Sequence, residues 1–166
     1  MFVYDNILPI NVAKRIDDEI NNLRWSYNYF STKVTKQPHW NILFGNNKSH
    51  IYNPIFNAVC DRVKDHVKLK LKRVYVSAHT YGIEPPIHKD DGYYTIIYYP
   101  KLNWESHWLG GTALWNDDRV DIDKYCNYVG NRAFIFKAET YHQAMPVSKL
   151  CYELRSVIIL KTAERI

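Results

Sequence analysis

A histidine and an acid separated by one residue are the first candidates for chemistry in this chain. His88 and Asp90 lie in the stretch PPIHKDDGYYTIIYYP, residues 85–100. If this stretch is extended, its side chains alternate between two faces, so His88 and Asp90 point to the same side and Asp91 points away. One imidazole and one carboxylate are too few ligands for a metal site, so a third ligand must come from elsewhere.

His142 is the best candidate for that third ligand. It follows the apolar run AFIF at 133–136, and a neighbouring strand could present it to the same cavity. Two histidines and one carboxylate on one face of an octahedron leave three adjacent positions open, which suits non-haem Fe(II) oxygenases. Each of these residues alone has a simpler interpretation, as part of a polar turn or as a hydrogen-bonded histidine at a strand end.

Arg155 adds a feature that a polar turn does not explain. It begins the apolar run RSVIILK at 155–161. An arginine at the start of an apolar strand needs an anion, and its planar guanidinium can bind a carboxylate through two hydrogen bonds. The alternative is an arginine at the rim of the domain that pairs with an acid of the protein itself.

The elements that must position these residues are mostly strands. Five segments rich in β-branched and aromatic residues follow residue 72, separated by Gly, Pro, Asn or Asp. They are RVYVSAHTY (73–81), YTIIYYP (94–100), GGTALWN (110–116), NRAFIF (131–136) and LRSVIILK (154–161). Because these strands do not alternate with helices, they favour an antiparallel jelly roll.

Two amphipathic helices are predicted before the strands. The first spans 11–23, has Asn11 as its N-cap and places Val12, Ile16, Ile20 and Leu23 at helical spacing. The second has Asn53 as its cap and Pro54 as its first residue. Residues 25–44 indicate only short strands and loops around Pro38. The predicted fold class is mainly β (α+β), a double-stranded β-helix (jelly-roll) core with two N-terminal supporting helices.

Size and composition predict a single domain over residues 1–166. Residues 1–71 would support a core at 72–161. No apolar run approaches the roughly 20 residues of a membrane span, and the N-terminus lacks the features of a signal peptide, so a cytoplasmic protein is expected. The three cysteines form no CxxC pair, which argues against a disulfide framework or a zinc ribbon.

Taken together, these patterns resemble the 2-oxoglutarate- and Fe(II)-dependent oxygenase superfamily, and most closely the small single-domain members of its prolyl-4-hydroxylase-like branch in microbes and phages. The similarity spans about residues 72–161. It rests on HKD (88–90), His142 and Arg155, and also on HTYG (79–82), TIIYYPKLNW (95–104), GGTALW (110–115) and VGNRAFIF (129–136). The cytoplasm would then be that of a microbial cell or of a phage-infected host.

The resemblance implies a reaction and a set of iron ligands. His88, Asp90 and His142 would bind Fe(II), with 2-oxoglutarate as cosubstrate and ascorbate as a further cofactor. The implied reaction is hydroxylation of a C–H bond, with succinate and CO2 as coproducts. The first substrate to expect is a prolyl residue of a peptide or protein, while small molecules stay open.

The same resemblance implies how the cosubstrate is bound. Arg155 would bind the distal carboxylate of 2-oxoglutarate, Tyr99 would hydrogen-bond to that carboxylate, and Tyr81 would also reach the cosubstrate. Collagen-type prolyl hydroxylases have lysine where this chain has Arg155. The segment SKLCYE at 148–153 is longer than in the hypoxia-sensing kind, so Lys149 is an alternative partner for the carboxylate.

Three other functions stay open. A nucleic-acid oxidative demethylase of the same superfamily would have a second arginine six residues after Arg155, where this chain has Lys161. The net charge of +5 and the 14 tyrosines still suit single-stranded nucleic acid. A non-enzymatic jelly-roll binding module would leave Arg155 unexplained. A hydrolytic zinc site also fits two histidines and an aspartate, but it explains neither Arg155 nor Tyr99.

Overall fold

The computed structural model describes residues 1–30 and 38–164, and within them it contains ten strands and two helices. The strands are β1 (Phe2–Tyr4), β2 (Ser26–Tyr29), β3 (His39–Leu43), β4 (Leu69–His79), β5 (Tyr94–Tyr99), β6 (Thr112–Trp115), β7 (Ile122–Cys126), β8 (Arg132–Lys137), β9 (His142–Ala144) and β10 (Arg155–Glu164). The helices are α1 (Ile10–Asn21) and α2 (Ser49–Val63). Part of the segment predicted as short strands and loops, 31–37, lies outside the described residues.

The strands form two antiparallel sheets. The larger sheet has the order β1-β8-β5-β10-β4-β3-β2, and the smaller has the order β7-β6-β9. A core of buried side chains lies between them, with Ile97, Phe134 and Val157 from the larger sheet and Leu114 and Cys126 from the smaller. The predicted jelly-roll class is therefore confirmed.

A second core lies on the opposite face of the larger sheet, against the helices. Ile16 and Ile20 of α1 and Ile55 and Val59 of α2 are fully buried there. On β5, Tyr98 belongs to this helix-side core, whereas Tyr99 belongs to the core between the sheets. The predicted alternation of faces along β5 is confirmed, and it points Tyr99 toward the interior where the candidate site lies.

The predicted start of the first helix was wrong. The helix begins at Ile10, and Asn11 lies in its first turn without acting as a side-chain cap. Pro9 is the N-cap, and its carbonyl oxygen accepts hydrogen bonds from the N–H groups of Val12 and Ala13. The proline needs no side-chain oxygen for this, because its extended backbone already aims the carbonyl at the first turn.

The predicted start of the second helix was also wrong. A short 3₁₀ turn at Asn46–Lys48 leads into α2 at Ser49, so Asn53 and Pro54 lie inside the helix. Pro54 lacks an N–H and therefore leaves one helical carbonyl without its usual donor. The sequence prediction took this proline as the first residue of the helix. The buried residues Ile55, Val59 and Val63 repeat every four residues and so lie on one face of α2. Within the described residues, neither helix is long and apolar enough to cross a membrane.

All five predicted strands are present, but three others were not predicted. β1 and β9 have only three residues each, and β7 is mostly polar and exposed. In addition, β4 begins at Leu69, before the predicted start at residue 73, and its first residues alternate between more buried and exposed positions. Short or polar strands contain too few alternating apolar and polar residues to be recognised from the sequence.

Candidate metal centre

Three side chains with metal-binding chemistry converge between the two sheets. His88 does not lie in a regular strand. Instead, His88 and His142 form an isolated antiparallel bridge, with their backbone N–H groups donating to each other's carbonyls at 3.0 and 2.9 Å. The N–H of Asp90 donates to the carbonyl of Ala138 at 2.8 Å. These backbone bonds fix the loop so that all three side chains meet.

The ligand atoms of His88, Asp90 and His142 lie within 4.8 Å of one another. Asp90 Oδ2 is 3.2 Å from Nε2 of His142, and Asp90 Oδ1 is 3.6 Å from Nε2 of His88. The Nδ1 atoms of the two histidines lie 2.9 Å from the carbonyls of Pro86 and Thr140. Because a carbonyl can only accept, each Nδ1 carries the proton and each Nε2 keeps its lone pair for a metal.

The protonation states also suit a metal ligand set. Burial lowers the pKa of His88, and the nearby His142 lowers it further, so the imidazole of His88 is neutral at neutral pH. Burial would raise the pKa of Asp90, but the neighbouring His142 and Lys161 hold that pKa well below its usual value. A metal needs a neutral imidazole and an ionised carboxylate, so this donor set fits a divalent cation.

Arg155 lies deep in the same space, with 1% of its surface exposed. Its Nε donates to the carbonyl of Gly110, its Nη2 donates to the carbonyl of Gly111 at 3.3 Å, and its Nη1 donates to Nε2 of His79 at 3.0 Å. Each terminal nitrogen has two N–H groups, so one on each is left over. No acid of the described residues forms an ion pair with Arg155, so its charge calls for an external anion.

A cavity of about 190 Å³ joins the triad and Arg155. Its lining includes the apolar side chains of Ile97, Val157 and Ile159 and the hydroxyl groups of Thr95 and Thr112. A ligand that chelates a metal at the triad and carries a carboxylate at its other end would match this distribution of groups. The cavity therefore has a set of metal-ligating side chains at one end and a buried guanidinium at the other.

The structure places the other predicted site residues at different distances from this cavity. Tyr99 is fully buried, and its hydroxyl donates to Oγ1 of the cavity residue Thr112 at 2.8 Å. Tyr81 lies in a turn with 61% of its surface exposed, outside the cavity lining. Lys149 is exposed in the loop before β10, whereas Arg155 lines the cavity.

Two residues of the site were missed from the sequence. His79 was not among the predicted site residues, yet it lies directly opposite Arg155 across β4 and β10 and lines the cavity. Lys161 was considered only as a missing arginine, yet it contacts Asp90. Period-two alternation from Arg155 through 157 and 159 to 161 places Lys161 on the inward face, so the signal was present in the strand pattern.

The fold is the one that solved structures of 2-oxoglutarate- and Fe(II)-dependent oxygenases, mostly prolyl hydroxylases, share. No protein-family model matches the sequence, and no curated protein matches it by sequence. The structural similarity covers nearly the whole chain at low sequence identity, so it establishes a common fold.

Three solved structures illustrate this similarity. A prolyl hydroxylase from Trichoplax adhaerens, in complex with a hypoxia-inducible-factor degradation-domain peptide, has a TM-score of 0.71 and 14% identity over 98% of this chain and 83% of that chain. The viral collagen prolyl hydroxylase of Paramecium bursaria Chlorella virus 1, with 2-oxoglutarate, has a TM-score of 0.70 and 13% identity over 98% and 95% of the two chains. HygX from Streptomyces hygroscopicus, with nickel and 2-oxoglutarate bound, has a TM-score of 0.72 and 8% identity over 99% and 83%.

Proposed function

We propose that this protein is an Fe(II)- and 2-oxoglutarate-dependent dioxygenase that hydroxylates a C–H bond and forms succinate and CO2 as coproducts. The observation that carries the proposal is a single cavity lined by the triad of His88, Asp90 and His142 and by Arg155. Arg155 is buried and forms no ion pair with an acid of the described residues. A plain hydrolytic zinc site would need the triad but not the arginine. Residues 1–166 are proposed to form one catalytic domain, with 1–71 supporting the core.

The three ligands would hold the metal through Nε2 of each histidine and the carboxylate of Asp90. Fe(II) bound there would supply the activation of dioxygen, which no protein side chain can provide. The protein contributes the orientation of the ligands, because the carbonyls of Pro86 and Thr140 fix both imidazole rings. A fixed ligand set leaves adjacent coordination positions open for the cosubstrate and for oxygen.

Arg155 is proposed to bind the distal carboxylate of 2-oxoglutarate with its two remaining N–H groups. Gly110, Gly111 and His79 accept the other N–H groups and so hold the guanidinium in one orientation. Tyr99 supports this end of the cavity through its hydrogen bond to Thr112, whose side chain reaches the cavity surface. A preoriented, buried arginine binds a carboxylate more strongly than a mobile, hydrated one.

The proposed substrate is a prolyl residue in a peptide or protein. The support is the shared fold of prolyl hydroxylases, including the Trichoplax enzyme seen with its peptide fragment. All three cysteines lie in the described part of the chain and none of them forms a disulfide, which suits a reducing compartment such as the cytoplasm, where this activity is proposed to act. Lys161 occupies the position where a nucleic-acid demethylase would have its second, substrate-facing arginine. Because Lys161 is buried against Asp90, this position does not support the demethylase.

A peptide library treated with the protein, Fe(II), ascorbate and 2-oxoglutarate tests the substrate class. The proposal expects a mass gain of one oxygen on proline-containing peptides, localised to proline by fragmentation, and no gain with the Asp90→Ala variant. A gain of oxygen on other residues alone would reject the prolyl substrate and keep the oxygenase. Loss of a methyl group from an oligonucleotide under the same conditions would support the demethylase instead.

A further inference from the structure

Lys161 is the most unusual charged residue of the interior. It lies on β10, on the same face as Arg155, and only 1% of its surface is exposed. Its Nζ forms an ion pair with Oδ2 of Asp90, one of the three metal ligands. A lysine is almost never buried to this extent without a specific partner, so its position requires an explanation.

The two oxygens of Asp90 have different surroundings. Oδ2 lies 3.2 Å from Nε2 of His142, and it accepts a hydrogen bond from Oγ1 of Thr95 at 2.7 Å in addition to its ion pair with Lys161. Lys161 and Thr95 also contact each other, with Nζ 3.4 Å from Oγ1. Among the described residues, none donates a hydrogen bond to Oδ1, which lies 3.6 Å from Nε2 of His88. One oxygen is thus saturated by two donors, and the other is available.

This asymmetry matters for the number of open positions at the metal. A carboxylate can bind a cation through one oxygen or through both. If Asp90 used both, the triad would occupy four positions of an octahedron, and a chelating cosubstrate and dioxygen together would need one position too many. The proposed reaction therefore requires Asp90 to bind through a single oxygen.

We propose that Lys161, together with Thr95, holds Oδ2 of Asp90 so that only Oδ1 binds the metal. Lys161 is then a positioning residue that keeps three coordination positions open, and it acts through Asp90 without touching the substrate. The inference rests on the proposed function. A purely structural role, in which Lys161 only neutralises a buried acid, would change the free energy of unfolding but not the binding of the cosubstrate to the metal.

The two roles are separated by Lys161→Met, which keeps an unbranched side chain only one atom shorter and removes its charge and donors, with Lys161→Arg as the conservative variant. Each protein is loaded with Fe(II) without oxygen and titrated with 2-oxoglutarate, while calorimetry and the visible charge-transfer absorption of the chelate are recorded. We expect Lys161→Met to retain Fe(II) but to bind 2-oxoglutarate about tenfold or more weakly with a diminished absorption band. Lys161→Arg should restore most of both.

The outcomes distinguish this inference from the proposed function. If the wild-type protein binds Fe(II) and 2-oxoglutarate and Lys161→Met binds both equally well, the role of Lys161 is overturned while the oxygenase stands. If the wild-type protein forms no complex with Fe(II) and 2-oxoglutarate, both proposals fall.

The structure of the wild-type protein with Fe(II) bound tests the inference without any variant, should Lys161→Met fail to fold. Coordination by Oδ1 alone, with Lys161 still on Oδ2, is the expected result. Coordination by both oxygens of Asp90, or by Oδ2, would overturn it.

Discussion

At the scale of single residues, the cavity contains polar groups that are buried before any ligand arrives. Arg155 keeps two N–H groups without a protein acceptor, and Nδ1 of His79 is buried without a partner among the described residues. Because Nε2 of His79 accepts from Arg155, the proton of that ring is on Nδ1. Unsatisfied donors cost about 1–3 kcal/mol each, so their retention beside a cavity is best explained by a ligand that accepts from them.

Replacing Arg155 with lysine should weaken 2-oxoglutarate binding. The ammonium group of a lysine has three donors on one atom and cannot serve Gly110, Gly111, His79 and a carboxylate together. We expect the Kd of 2-oxoglutarate on the metal-loaded protein to rise about tenfold or more, in line with the loss of a charged hydrogen bond. Calorimetric titration measures this.

The same substitution at Arg132, which pairs with Asp5 at the surface, is the matched control and should leave the Kd unchanged. An Arg155→Lys variant that binds 2-oxoglutarate as the wild-type protein does would show that Arg155 is not the carboxylate partner. In that case the exposed Lys149 becomes the next residue to replace.

The candidate ligands and Arg155 were found from residue type and order, but their contacts were not. The sequence showed HKD, His142 and Arg155, whereas the backbone bridge between His88 and His142 depends on pairing across about fifty residues of chain, which local patterns do not contain. Lys161 was hidden for a different reason. The period-two pattern of β10 places it on the inward face, but a lysine is expected to be exposed, so its residue type argued against the pattern.

At the scale of elements, β10 organises the site. It lies between β4 and β5 in the larger sheet, and its inward face carries Arg155 at one end and Lys161 at the other. The start of β6 completes the arginine end, because the carbonyls of Gly110 and Gly111 point at the guanidinium. One central strand therefore spaces the anion-binding end from the metal end.

Gly111→Ala should disturb the arginine end and destabilise the fold. A Cβ at this position would collide with the backbone oxygen of Cys126 and with the ring of Tyr125 at 2.6 Å. Overpacking of this kind costs about 1–3 kcal/mol in the free energy of unfolding. We also expect weaker 2-oxoglutarate binding, because the carbonyl that accepts from Arg155 must move.

Urea denaturation measures the change in stability, and Gly45→Ala is the matched control. A Cβ at Gly45 would meet only the flexible side chain of Asn47 at 3.3 Å, so a much smaller loss is expected. Equal stability of the two variants would contradict the close approach of β6 and β7 at Gly111.

The long elements were predictable from periodicity, and the short ones were not. β5, β8 and β10 have enough apolar and aromatic residues for their type to be read from the sequence. β9 has three residues and exists because His142 and its neighbours pair with β6, which is a non-local cause. The helix starts were misplaced because Pro9 caps with its backbone and Pro54 is tolerated inside α2, and neither follows the common rule for helix ends.

At the scale of the whole molecule, the buried His39 and His79 and the partly buried His88 tie stability to pH. Burial lowers the pKa of His39 to about 4, and nearby His88 contributes to that shift. Burial also lowers the pKa of His79 and of His88, with further contributions from Arg155 and His142 respectively. In each case the folded protein disfavours the charged ring.

The protein should therefore lose stability as the solution becomes acidic. Above the unfolded pKa of 6.5 these rings are neutral in both states, so the full stability is present. As the pH falls toward the lowered folded pKa, the unfolded chain takes up protons that the folded protein does not, which favours unfolding. For His39 alone the loss is about 2 kcal/mol between about pH 7 and pH 5.

Urea denaturation of the metal-free protein at the two pH values checks this, with His39→Gln as the comparison. The variant should lose roughly 2 kcal/mol less than the wild-type protein over the same interval, because the amide does not titrate. Parallel losses in the two proteins would show that His39 is not a source of the pH dependence.

The central claim is that His88, Asp90 and His142 bind an iron that uses 2-oxoglutarate. The most direct measurement is the release of CO2 from 2-oxoglutarate labelled at its first carbon, with Fe(II) and oxygen present, compared among the wild-type protein, His88→Ala and Asp90→Ala. We predict turnover by the wild-type protein even without a substrate, and none above background by either variant. Turnover that persists in both variants would contradict the claim, as would a wild-type protein that binds Fe(II) and releases no CO2.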